Sequence, residues 1–111
     1  MKRDIQLYIE DIIKNCDLVE KYINGVTEKE FENNVMLQDA VIRRIEIIGE
    51  AVGAIPDSVK EIYPNIQWAE AKGMRNFLVH EYFGVRVEIV WVTITKDIPL
   101  LKKQLENITL F

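Results

Sequence analysis

The sequence predicts an all-α fold, an antiparallel helical bundle, and three observations carry that reading. Apolar residues recur every three to four positions over long stretches, which is the period of an amphipathic helix and not the alternation of a strand. Five glycines and three prolines among 111 residues come to roughly 7% against a usual ~12%, too few for a turn-rich sandwich or barrel. The remaining mix, 49% apolar and 29% charged, is that of a globular chain burying one core, so 1–111 reads as a single domain.

Each element can be justified in turn. Ile5, Tyr8, Ile9, Ile12, Ile13, Cys16, Val19, Tyr22 and Ile23 mark a first helix over 3–24. Asn24-Gly25 ends it, with glycine in the left-handed C′ position. Thr27 and Glu30 have the spacing of a capping box and open a short helical turn near 28–33. A long helix follows over 34–54 and stops before Pro56. Met36, Leu37, Ala40, Val41, Ile45, Ile47, Ile48, Ala51 and Val52 fill one broad arc of it. Arg44 falls near the middle of that arc, where a charge needs a partner or a water-filled cleft. Either it snorkels or pairs with a nearby glutamate, or this face also lines a functional cleft.

Pro56 to Pro64 reads as a connector with one short helical turn. A third major helix covers 67–83 and ends at Gly84. A fourth spans 86–96, with Val87, Val90, Trp91 and Ile94 on one face. Asp97 and Pro99 read as an N-cap and a first-turn proline, which makes 98–108 a separate or kinked segment. Leu110-Phe111 is an apolar tail that docks or frays.

Composition also narrows the function. A net charge of −4 speaks against a protein that coats duplex nucleic acid over a whole face, although a local basic pocket is compatible with it. One cysteine, Cys16, forms no internal disulfide and fits a reducing cytoplasm. The start, Met1-Lys2-Arg3-Asp4, runs into a charged amphipathic stretch and not a signal-peptide core. The apolar runs are too short to span a membrane. Nucleotide loops, HExxH and calcium loops are missing from the sequence. With one histidine and one cysteine, a conventional zinc site in one chain is nearly excluded, so no metal is expected. Ser58, the only serine, sits in a connector and makes a poor triad nucleophile.

The third helix carries the chemistry. Trp68, Ala71, Met74, Phe77, Leu78, Val79 and Tyr82 form its apolar arc. Ala69, Gly73, Asn76 and His80 recur at steps of four, three and four and form a narrow stripe on the other side. Gly73 in mid-helix costs about 1 kcal/mol relative to alanine, and close approach of another backbone or a ligand is the usual reason. Arg75 and His80 are separated by roughly 7.5 Å of helical rise, within the swing of an arginine side chain. A lone helical histidine is most often a plain surface or core residue. Here it stands with a guanidinium that can fork onto phosphate and with an amide.

That set matches metal-free RNA cleavage. A base must take the 2′-OH proton, an acid must protonate the leaving 5′-oxygen, and cations must stabilise the phosphorane. One histidine cannot comfortably hold both positions. A two-fold dimer that juxtaposes two stripes would supply two imidazoles and two guanidiniums, with Gly73 and Ala69 letting the helices approach.

Arg75-Asn76-Phe77-Leu78-Val79-His80-Glu81-Tyr82 resembles the Arg-x4-His-x-Tyr signature of the HepT-like toxins of the HEPN superfamily. The similarity runs in order through Lys2-Arg3-Asp4, Gln38 to Arg43, Ile47 to Ala51, Trp68, Gly73 to Asn76, His80 to Val85 and Ile89 to Trp91. The resemblance implies an all-α HEPN bundle that dimerises over a shared cleft. It implies a metal-independent endoribonuclease with Arg75 and His80 catalytic, Asn76 supporting and no cofactor. Arg44 and Gly73 are candidates for the wall of the cleft. It also implies a toxin neutralised by a cognate MntA-like nucleotidyltransferase, which transfers AMP from ATP to Tyr82. Where the family commonly has Asp after Gly-Val, this chain has Arg86, so the cap of the following helix is in question and a cation is added. The same fold also hosts a second role, a non-catalytic nucleotide-binding or docking partner of the nucleotidyltransferase.

Overall fold

The structure is a computed structural model that describes residues 4–73 and 86–108. Its elements are α1 (Ile5–Tyr22), α2 (Glu28–Glu32), α3 (Val35–Ala54), α4 (Asp57–Ile62), α5 (described over 68–73), α6 (Val87–Val92), a π-helical turn (Thr93–Asp97) and α7 (Ile98–Glu106). The fold is all-α. No described helix is long and apolar enough to cross a membrane.

Helix starts follow from side chains that satisfy otherwise orphaned backbone N–H groups. The Asp4 carboxylate accepts from the Gln6 amide at 2.8 Å, and Asn34 Oδ1 accepts from the Leu37 amide at 3.0 Å. Both limbs of the expected capping box are present at 3.1 Å, Glu30 N–H to Thr27 Oγ1 and Thr27 N–H to Glu30 Oε1. The first helix stops at Tyr22. Ile23 is its C-cap, and Gly25 is left-handed as expected (φ +76°), but it stands two residues past the cap because the helix ends earlier than 24.

The core joins α1, α3 and the C-terminal helices. Ile9, Ile12, Cys16 and Val19 of α1 pack with Val41, Ile45, Ile48 and Val52 of α3. Ile94, Ile98, Leu101 and Leu105 close the cluster from the other side, and Trp68 and Ala71 of α5 join it. Met36 departs from the expected arc. It is 81% exposed in the first turn of α3, where no element of the described chain covers it. α2 is seated by Phe31, fully buried with its ring 5.3 Å from that of Trp91. Gln38 donates its side-chain amide to the Phe31 and Glu32 carbonyls, tying α2 to α3.

Asp97 is not an N-cap. Its backbone is right-handed helical (φ −72°, ψ −43°), and its side chain makes no capping bond. The chain runs helically from Val87 to Glu106 and widens into the π turn in between. Pro99 explains the widening: it has no N–H for the carbonyl four residues back, and its ring crowds that carbonyl. Thr93 and Thr95 turn their hydroxyls back onto the Ile89 and Trp91 carbonyls at 2.9 and 2.7 Å. Gln67, from the connector before α5, donates its side-chain amide to the Asp97 carbonyl at 2.9 Å.

Candidate functional site

Arg75, Asn76, His80 and Tyr82 lie outside the described residues, as does the tail Leu110-Phe111. The described chain reaches them from both sides, through α5 and from Arg86 onward. The start of α5 is held firmly. Gln104 of α7 accepts from the Gln67 amide through Oε1 at 3.3 Å and donates through Nε2 to the Asn65 carbonyl at 3.1 Å. The Trp68 indole N–H donates to the Tyr63 carbonyl at 3.1 Å. With the Gln67–Asp97 bond, these contacts pin residues 63–68 to the C-terminal helix, and the register of α5 is set there.

The two faces of α5 separate as the stripe requires. Trp68 and Ala71 are buried, whereas Ala69 and Gly73 are exposed. A Cβ built on Gly73 meets nothing within 4 Å among the described residues. The small-residue face is therefore open to a partner or ligand, and the described chain itself does not crowd it.

Among the described residues Arg44 has a partner, an asparagine and not a glutamate. Its Nη1 donates to Asn15 Oδ1 at 3.1 Å, and Asn15 in turn donates through Nδ2 to the Asp11 carbonyl at 2.8 Å. Asn15 is 7% exposed. A buried amide that accepts from a guanidinium and donates to backbone fixes the head of the half-buried Arg44. The sequence carried one signal for Asn15, a polar residue three after Ile12 on the apolar face of α1.

At the other flank, Arg86 starts α6 without a side-chain capping bond, so the expected loss of the cap is real. The Arg86 guanidinium lies 3.8 Å from the Glu88 carboxylate, both well exposed, and such a pair contributes little to stability. Two other groups have shifted titrations. Burial, reinforced by Glu20 and Asp17, pushes the Cys16 thiol up to about 12. It stays a thiol at neutral pH and serves as packing, not as a nucleophile. Lys102 bridges α7 to α1, with Nζ 2.6 Å from Asp17 and 3.2 Å from Glu20. Hydrogen bonds to those two carboxylates raise its pKa.

A family profile described as "Ribonuclease HepT-like" matches residues 12–108. The chain belongs to the HepT-like family. It is 42% identical over 108 residues to a protein of Thermococcus cleftensis named "Probable ribonuclease HepT", covering 97% of this chain and 98% of that one. It is 41% identical to a "Putative RNase" of Caldanaerobacter subterraneus subsp. tengcongensis over 91% of this chain and 90% of that one. A third relative, a "Gamma-glutamylcyclotransferase and putative RNase" of Methanocaldococcus jannaschii, is 43% identical over 97% of this chain, which spans only 49% of that protein. No solved structure matches the chain. Arg75, His80 and Tyr82 fall inside the matched span.

Proposed function

We propose that the chain is a metal-independent endoribonuclease, the toxin of a toxin–antitoxin pair. The observation that carries this reading is the motif Arg75-x4-His80-x-Tyr82 standing within the matched residues 12–108. In the reaction, the 2′-oxygen of one ribose attacks the adjacent phosphorus while an imidazole takes its proton. The 5′-oxygen leaves with a proton from a second imidazole, and a 2′,3′-cyclic phosphate and a 5′-hydroxyl result. Arg75 holds the phosphate and stabilises the phosphorane, and Asn76 supports it by hydrogen bonding. His80 serves as base in one protomer and acid in its two-fold partner, which requires a homodimer. The open face at Ala69 and Gly73 supports such an approach.

Control runs through a cognate MntA-like nucleotidyltransferase that moves AMP from ATP onto the Tyr82 hydroxyl, with pyrophosphate leaving. The added phosphate places negative charge where the RNA backbone must lie and competes for Arg75. Tyr82→Phe is expected to keep cleaving RNA and to resist silencing by ATP plus that enzyme. Equal silencing of the Phe variant would move control to another residue.

The test of the activity is cleavage of RNA by the purified chain in EDTA. The wild type is expected to cleave, Arg75→Ala to be inactive with its helicity intact, and Arg75→Lys to recover little, because lysine lacks the fork. Strict magnesium dependence would overturn the reading.

A further inference from the structure

Beside the start of α5 is an open cavity of about 530 Å³, within the ~300–1,000 Å³ of small-ligand clefts. Lys60 of α4, Asn65 of the connector and Lys72 of α5 line it, together with Asp57, Glu70 and Ala69. Three observations make it more than a surface dent. Its wall is stiff, because residues 63–68 are pinned to α7 by Gln67 and Gln104. Its two lysines form no ion pair among the described residues, although two carboxylates share the cavity. It also opens on the small-residue side of α5: Ala69 lies in the cavity and on the same stripe as Gly73, and Lys72 is three residues before Arg75 in the chain.

We infer that this cavity is a nucleotide subsite for the RNA strand flanking the bond to be cut, with Lys60 and Lys72 on one phosphate and Asp57 or Glu70 on the base edge. The inference rests on the ribonuclease reading above. Two cations suit a single phosphate, and two carboxylates repel a second one, so the cavity takes one nucleotide and not a polyanionic run. Carboxylates accept from the exocyclic amine of cytosine, whereas uracil has none to offer. Trp68 is no stacking platform: it is 7% exposed with its indole N–H committed to Tyr63, and forms the floor. On a chain of net charge −4, two lysines without an ion pair among the described residues offer a polyanionic strand a local foothold.

The experiment is binding of short 2′-O-methyl oligonucleotides, which lack the attacking hydroxyl, to the full chain by fluorescence anisotropy across salt concentrations. Lys60→Gln with Lys72→Gln is expected to weaken binding about tenfold and to flatten the slope of log Kd against log salt by about 0.7, the loss of one phosphate contact on a single strand. Oligo-C is expected to bind several-fold tighter than oligo-U, and Asp57→Asn with Glu70→Gln to erase that difference. Lys29→Ala with Lys96→Ala removes the same charge from exposed positions elsewhere and serves as the control. Equal losses in both lysine pairs, an unchanged slope, or no preference between oligo-C and oligo-U would overturn the subsite. Competition by AMP as strong as that of the oligonucleotide would assign the cavity to a free nucleotide and likewise overturn it. If the expected binding pattern appears but wild-type chain cuts no RNA, the nuclease reading fails, and the cavity stands as a nucleotide-binding site with no cut bond beside it.

Discussion

α3 runs twenty residues from Val35 to Ala54 as unbroken α-helix, whereas the equally long stretch Val87–Glu106 widens into a π turn at Thr93–Asp97. Both bury one face in the same core. Their interiors differ in one residue that the backbone cannot ignore, Pro99. α3 satisfies its carbonyls from within, while the second helix takes part of its hydrogen bonding from outside, through Gln67 to the Asp97 carbonyl. That irregularity has a use. The side chain that fills the π turn belongs to the connector that starts α5, so the break in one helix anchors the helix that leads into the motif.

The comparison can be broken at its strongest point first. Ile48→Ala in α3 and Ile94→Ala in the π turn both remove side chains with no exposure, and each is expected to destabilise by about 2–5 kcal/mol. The Ile94 variant should fall at the lower end, because a wider turn relaxes into the space more readily. Urea unfolding of the pair measures it; an equal or larger loss at Ile94 would mean that the π turn is as rigid as α3. A smaller effect sharpens the same point. Gln67→Ala is expected to cost about 1 kcal/mol, with faster amide exchange in 63–73 and in the π turn, and α3 unaffected. Exchange confined to one of those two segments would show that they are not coupled through Gln67.

The straight helix was also the more legible one in the sequence. The capping box at Thr27 and Glu30 and the periodic run through Val41, Ile45 and Ile48 are local signals, and they produced the expected elements. Met36 was misplaced because periodicity assigns a face but not where the neighbouring elements end. Asp97 and Pro99 fit an N-cap followed by a proline equally well on local grounds. The side chain that bonds to the π turn, Gln67, is thirty residues away and leaves no local trace beside Asp97. Arg44 was recognised as needing a partner, but a buried amide twenty-nine residues off leaves no local trace. The proposed motif stands out in the sequence as a pattern of residue types, a guanidinium at Arg75 and the chain's one imidazole at His80 beside an apolar arc that includes Tyr82. The proposed two-fold partner rests on a chemical requirement, one histidine for two proton transfers, and on the family resemblance.

The central claim is that His80 moves the protons of RNA cleavage without a metal. Its most direct test is the single-turnover cleavage rate of wild type and His80→Ala in EDTA, side by side from acidic to alkaline pH. The expected result is a wild-type profile that titrates near neutral pH, as an imidazole does, with cyclic-phosphate ends on the products and no detectable rate for a folded His80→Ala variant. A His80→Ala variant that cuts RNA at the wild-type rate, or a wild-type rate with no titration near neutrality, would contradict it.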